Sequence, residues 1–237
     1  MRRAIAIVGA LVLVLAAAGS SHAVLLSDLL NGGSVTSGDK LFDNWTVTSY
    51  FASDPARSFN AANIEVTGLS GSVDPGLDFV VSHDELTVIG DDIFAYVDLM
   101  FGFKVTALDP VLMIKDASLE MNGYLSYTMN AGSDLGFYIR ESIGTAPGLD
   151  DLGMLSASFD VNNDVVNSQP NDSVTFAPRS SIWVTKNILV WSLNSMDIAS
   201  LQGFDQKFSQ APVSVPEPGM LALLALGGLA LLRLTRG

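Results

Sequence analysis

A single histidine, His83, lies between residues 24 and 215, and Asp84 and Glu85 follow it directly. A Ser-His-Asp triad needs only one histidine, but it also needs a serine on a strained elbow, and no Gly-x-Ser-x-Gly occurs in the chain. His83 comes after the apolar Phe79-Val80-Val81 and reads as a turn residue. One histidine is too few for a histidine-based metal cluster. The lack of cysteine excludes disulfides, thiolate zinc sites, iron–sulfur clusters and a Cys nucleophile. No Gly-x-x-x-x-Gly-Lys phosphate loop is present. Carboxylates are plentiful, and two of them roughly 5–10 Å apart across a cleft would suffice to hydrolyse a glycosidic bond. Asp91, Asp92, Asp150 and Asp151, however, sit at turn signals, where aspartate serves local hydrogen bonding. Asp160-Val161-Asn162-Asn163-Asp164 alternates oxygen ligands as a calcium loop does. Val165 stands where such a loop needs glycine, and Asn171 where it needs a bidentate glutamate. Asp160, Asn162 and Asp164 are therefore a non-EF calcium candidate, set against the plainer reading of a polar loop. No other cofactor is implied. Trp45, Trp183 and Trp191 could stack on sugar rings, but each lies in an apolar strand pattern that reads as core.

The elements that position these residues are strands. Period-two alternation runs through residues 45–50 and 63–67, and a long β-rich run covers 92–106, with Gly102 as a candidate bulge. Residues 117–130 hold one strand with a glycine kink or two short ones. Further strands are expected at 136–141, 152–161, 173–177 and 204–210. Two more, 182–185 and 188–193, would be joined by a turn at Lys186-Asn187. Turn signals recur at 74–76, 90–92, 109–110, 147–151 and 162–172, and only residues 27–31 look helical. Many short strands at turn-marked intervals predict an all-β, two-sheet β-sandwich, with a jelly-roll order as one arrangement.

The charge and hydropathy of the chain pull in opposite directions. It carries 12 basic and 25 acidic side chains for a net −13, yet its mean hydropathy is +0.37. The ends account for this. Arg2 and Arg3, an uncharged apolar stretch over 4–18, and small Ser21 and Ala23 before the cut describe a secretory signal peptide over residues 1–23, removed by signal peptidase. At the other end, Pro216-Glu217-Pro218 is followed by an apolar run over 220–232 and then Arg233 and Arg236. That run is shorter than the roughly 20 residues of a comfortable spanning helix. Residues 24–210 are the expected ectodomain and 211–215 a short linker. Between 24 and 215 there are 24 acidic and 8 basic side chains, a balance of −16, and all 20 aromatic residues. Nothing in that balance would neutralise phosphates, which excludes a nucleic-acid binder.

The C-terminal arrangement closely resembles the PEP-CTERM sorting signal of exosortase-processed bacterial surface proteins. The matching residues are Val215 with Pro216, Glu217 and Pro218, the apolar run, and Arg233 with Arg236. The resemblance implies a Gram-negative host with an exopolysaccharide-rich envelope. It also implies transient anchoring in the inner membrane through a C-terminal apolar helix, and removal of the tail by an exosortase-type membrane peptidase. A plain C-terminal membrane anchor is the alternative. Within the middle, Leu41-Phe42-Asp43-Asn44-Trp45 and the closing Gln206-Lys207-Phe208-Ser209-Gln210 resemble a recurrent ectodomain of this secreted class, which brings no catalytic residues with it. The expected function is that of an exported, non-enzymatic surface or exopolysaccharide-matrix protein. A carbohydrate-binding module and a carboxylate-dependent glycan hydrolase are the alternatives.

Overall fold

The computed structural model describes residues 22–69, 74–129 and 131–212. In chain order its elements are β1 (Val24–Leu25), α1 (Leu26–Leu30), β2 (Val35–Ser37), β3 (Lys40–Ala52), a 3-10 turn (Ala61–Asn63), β4 (Ile64–Leu69), β5 (Gly76–Val81), β6 (Thr87–Ile89) and β7 (Ala95–Ala107). They continue with β8 (Leu112–Tyr127), β9 (Asp134–Gly144), β10 (Gly153–Asn162), β11 (Val165–Gln169), β12 (Asn171–Arg179), β13 (Ser181–Ser192), β14 (Ile198–Lys207) and β15 (Gln210–Pro212). One sheet runs β1-β4-β5-β14-β8-β12, with β6 beside β14 and β15 beside β8. The other runs β11-β10-β9-β13-β7-β3-β2. The chain passes repeatedly from one sheet to the other, which makes this the expected β-sandwich in a jelly-roll-like order.

Period-two patterning decides which face each strand buries. On β7, Val97, Leu99, Phe101, Phe103 and Val105 point inward; on β13, Ile182, Val184, Ile188 and Val190 do. Aromatic rings fill the space between the sheets. Phe79 stacks on Phe204 and Trp45 on Phe103, each at 4.5 Å between centroids. Trp45 is 5% exposed and donates its indole N–H to the Phe42 carbonyl at 3.2 Å, which satisfies its one polar atom.

Several expectations about local structure are corrected. Lys186-Asn187 is not a turn: β13 is continuous, paired residue by residue with β7 and β9. Lys186 occupies an inward position, is fully buried, and is held by Glu141 on β9 and Gln206 on β14. Burial pushes the Glu141 carboxyl up and the Lys186 ammonium down, with their mutual attraction opposing both. The bulge expected at Gly102 lies on the facing strand instead. Register shifts on β3 fall between Asp43 and Thr46 and between Val47 and Ser49, with Asn44 left-handed at φ 54°. Gly102 is needed because a Cβ there would stand 2.7 Å from the Val184 carbonyl. The stretch 162–172 is not one loop, since it contains β11 and the start of β12. The last expected strand divides into β14 and β15. Ala211 and Pro212, the first residues of the expected linker, pair with Met113 and Leu112. The glycine kink of 117–130 is real: β8 is one strand, with the register shift against β14 at Gly123.

Candidate functional site

His83 sits just after β5, with His83 and Asp84 both left-handed at φ 53° and 56°. Its Nδ1 lies 3.0 Å from Ser82 Oγ, whereas Asp84 accepts from the Thr87 hydroxyl at 3.4 Å. The Arg57 guanidinium ties this turn down by donating to the carbonyls of Thr87, Asp84 and Glu85 at 2.6–2.7 Å. Glu85 is buried and accepts from the Asn60 backbone and the Asn63 amide. A cleft of about 460 Å³ lies over this turn. Its polar groups hold the loop, and His83 is a turn residue as its sequence context predicts.

Carboxylates gather on the outer face of the eight-stranded sheet. Asp78 on β5, Asp205 on β14 and Glu120 on β8 stand in one row by register. The Asn122 amide donates to both Asp78 (3.1 Å) and Asp205 (2.7 Å), and Lys207 pairs with Asp205 at 3.2 Å. Burial raises the Asp78 carboxyl; the Asn122 hydrogen bond opposes that and the Asp205 charge adds to it. A cleft of about 290 Å³ is lined by Glu120, Asp172 and Asp205 but not by Asp78.

The calcium candidate falls in the β10–β11 hairpin. Asn163 and Asp164 take left-handed φ of 49° and 66°, as a tight hairpin turn requires. Asp160 accepts from Asn167 at 2.9 Å, and Asp164 accepts from the backbone of Gly132 and Ser133. The structure thus engages Asp160 within the hairpin and Asp164 with the segment before β9, in separate hydrogen bonds. Among the described residues no group of three or more His, Asp or Glu is placed to hold a metal ion. The sorting residues Pro216, Glu217, Pro218, Arg233 and Arg236 lie outside the described residues, as do the signal peptide and the expected C-terminal helix. Among the described residues no helix is long and apolar enough to cross a membrane.

The aromatic residues divide. Trp45 belongs to the core, but Trp183 and Trp191 lie half-buried on the outer face of the seven-stranded sheet, correcting the expectation of core packing for these two. They share that face with Thr185, Asn187 and Leu189 of β13. The same parity places Tyr96, Asp98, Met100 and Lys104 of β7, and Tyr138 and Arg140 of β9, beside them. Trp191 lies against Gly136, where a Cβ would stand 2.7 Å from the indole, and its Nε1 donates to Asp134 Oδ1 at 3.2 Å. Tyr138 packs 6.2 Å away, with the Arg140 guanidinium 4.8 Å from the Tyr138 ring centre. Beside Trp183 is a cleft of about 220 Å³, walled by Thr46, Thr48, Met100, Pro147 and Thr185 and floored by Gly102. The Gly148 N–H donates to Thr185 Oγ1 at 3.1 Å and so fixes the wall. Two half-buried indoles, a glycine and three threonine hydroxyls share this surface, groups that can contact the C–H and hydroxyl groups of sugar rings. The signal for it was in the sequence. Trp183 and Trp191 have the opposite parity to Ile182, Val184, Ile188 and Val190.

No protein-family model and no curated protein matches the chain. Among solved structures it is similar to a carbohydrate-binding module, TmCBM27, studied for specific mannan recognition. That similarity has a TM-score of 0.32 at 13% identity and covers 81% of this chain and 97% of that one. It is also similar to TmCBM61 in complex with β-1,4-galactotriose, with a TM-score of 0.24 at 12% identity over 71% and 88%. A third is endoglucanase 3 of Trichoderma harzianum, from family GH12, with a TM-score of 0.20 at 9% identity over 71% and 97%. At these scores none of the three bears on function.

Proposed function

We propose that this chain is an exported, non-enzymatic protein of the cell surface or exopolysaccharide matrix. Its sandwich is delivered by the signal peptide and by PEP-CTERM-type processing of the tail, and it holds glycan on the outer face of the seven-stranded sheet. The observation that carries the glycan reading is the pair of half-buried tryptophans, Trp183 and Trp191, on one solvent-facing surface amid hydroxyl and amide side chains. Support for delivery comes from the Pro216-Glu217-Pro218, apolar, Arg233 and Arg236 sequence that follows β15, which ends at Pro212, the last of the described residues. In this account signal peptidase and an exosortase-type membrane peptidase are the processing partners, and exopolysaccharide is the resident one.

What supports the non-enzymatic reading is how the candidate groups are engaged. Of the carboxylates that line the 290 Å³ cleft, Asp205 is engaged by Lys207 and Asn122 and Asp172 by the backbone of Ser156 and Ser173, and the His83 turn is tied down by Arg57. The test is co-sedimentation of the full-length chain with exopolysaccharide isolated from the producing cells. The wild type should sediment with the polymer, and a Trp183→Ala/Trp191→Ala variant that melts at the wild-type temperature should stay in the supernatant. Equal sedimentation of the two would remove the glycan reading.

A further inference from the structure

We infer that the glycan held on this face is an extended, uncharged polysaccharide bound along β13, with Trp183 and Trp191 as its two stacking platforms. The inference rests on the glycan reading above and adds the geometry and charge of the ligand. Residues 183 and 191 are eight positions apart on one regular strand, a separation of about 26 Å at 3.3 Å per residue. A single sugar cannot touch both, whereas a chain lying along the strand can. The cleft beside Trp183, about 220 Å³, is smaller than the roughly 300–1,000 Å³ typical of pockets that enclose a whole small ligand. It suits one ring of a longer chain rather than a closed end.

Trp191 and the cleft beside Trp183 are held before any ligand arrives. Trp191 is fixed by Asp134 and by its seat on Gly136; the cleft wall is fixed by the Gly148–Thr185 hydrogen bond. Such preorganisation lowers the ordering cost of binding. The side chains of β13 between the platforms, Thr185, Asn187 and Leu189, carry no charge. Asn187 donates to Asp98 at 2.6 Å.

Charge selects the polymer. Lys104 and Arg140 are on this face, but Asp43, Asp98 and Asp160 share it by register, in a chain of net −13. A polyanion would meet both that local excess and the field of the whole domain. An uncharged chain meets neither, and its hydroxyls match Thr46, Thr48, Thr185 and Asn187.

The alternative is that Trp191 only covers Gly136 to stabilise the sheet, and calorimetric titration of the full-length chain in mild detergent separates the two. The probes are a soluble neutral polysaccharide (a glucan, a mannan or a galactan), oligosaccharides of increasing length, and polygalacturonate. The neutral polymer should bind, and W183A and W191A should each weaken it at least about tenfold. Affinity should climb with oligosaccharide length until the extended ligand reaches about 26 Å, then level off. If W191A loses the fold by circular dichroism, the length dependence of the wild type decides. A disaccharide bound as tightly as the polymer, or one tryptophan indifferent while the other is required, would overturn the inference and leave the glycan reading standing. Preference for polygalacturonate would overturn the charge argument. Retention of no polysaccharide at all would overturn both the inference and the glycan reading.

Discussion

Removing either partner of the buried Lys186–Glu141 pair should destabilise the sandwich and give the two variants opposite pH dependences. Lys186 and Glu141 are both fully buried, and Gln206 completes the cluster. Lys186→Met leaves the Glu141 carboxyl between the sheets without its cation, and Glu141→Leu leaves the Lys186 amine there without its anion. Each should cost about 3–5 kcal/mol, which for a domain of this size lowers the melting midpoint by about 6–20 °C. In K186M the Glu141 carboxyl, raised by burial from its ordinary 4.5, holds a proton that the unfolded chain releases above that pH. The folded state then binds more protons than the unfolded one. Stability is greatest below pH 4.5 and falls as pH rises toward the folded value, by up to about 1.4 kcal/mol per unit. In E141L the Lys186 amine, lowered from 10.5, is deprotonated in the fold while still charged in the unfolded chain, so stability rises with pH through the window below 10.5. In the wild type the pair holds one proton whichever group carries it, as the unfolded pair does between 4.5 and 10.5, so it contributes no slope. The double variant K186M/E141L leaves Gln206 Oε1 unpaired, at about 1–3 kcal/mol, while its Nε2 still donates to the Ser118 carbonyl at 3.1 Å. Urea unfolding followed by tryptophan fluorescence from pH 5 to 9 gives the free energies and the signs of the two slopes, and thermal melts give the midpoints. Two single variants with wild-type pH dependence, or losses below about 1 kcal/mol, would refute the reasoning.

Other substitutions probe the remaining elements. Gly136→Val would drive a side chain into both the Trp191 indole and the Phe159 carbonyl, each 2.7 Å from the Cβ position. It should lower the melting midpoint and shift tryptophan emission, and an unchanged spectrum would place Trp191 elsewhere. Asp78→Asn should raise the midpoint by a degree or two at pH 7 and have no effect at low pH. A carboxyl raised in the fold favours the native state only below its folded value, and facing like charges on neighbouring strands cost about 0.2–1 kcal/mol. Replacing Pro216, Glu217 and Pro218 by alanine should leave the tail on the surface-displayed protein, and an unchanged mass would count against processing at this motif.

The sandwich was legible in the sequence because period-two alternation is strong in β3, β7 and β13. Lys186 broke the reading of β13. A lysine in an apolar run looks like a turn until its partners are known, and Glu141 and Gln206 are 45 and 20 residues away. The closing Gln206-Lys207-Phe208-Ser209-Gln210 could be recognised as a motif but not explained. In the fold, Gln206 accepts from the buried Lys186 and Gln210 from the buried Lys40, and Phe208 packs on Phe42 at 5.8 Å. Those two glutamines place two lysines inside a β-sandwich. The Asp160, Asn162 and Asp164 alternation reads as a ligand loop in sequence, yet a hairpin turn uses the same residue types for left-handed backbone and local hydrogen bonds. The tryptophan face was within reach. Parity alone separates Trp183 and Trp191 from the core positions of β13, but the apolar character of the run concealed it.

The intact mass of the protein recovered from the producing cells and their medium tests the central claim most directly. The account predicts a chain beginning at Val24 and lacking the apolar run over residues 220–232, found outside the inner membrane. A full-length 25.1 kDa chain with both ends retained would contradict it.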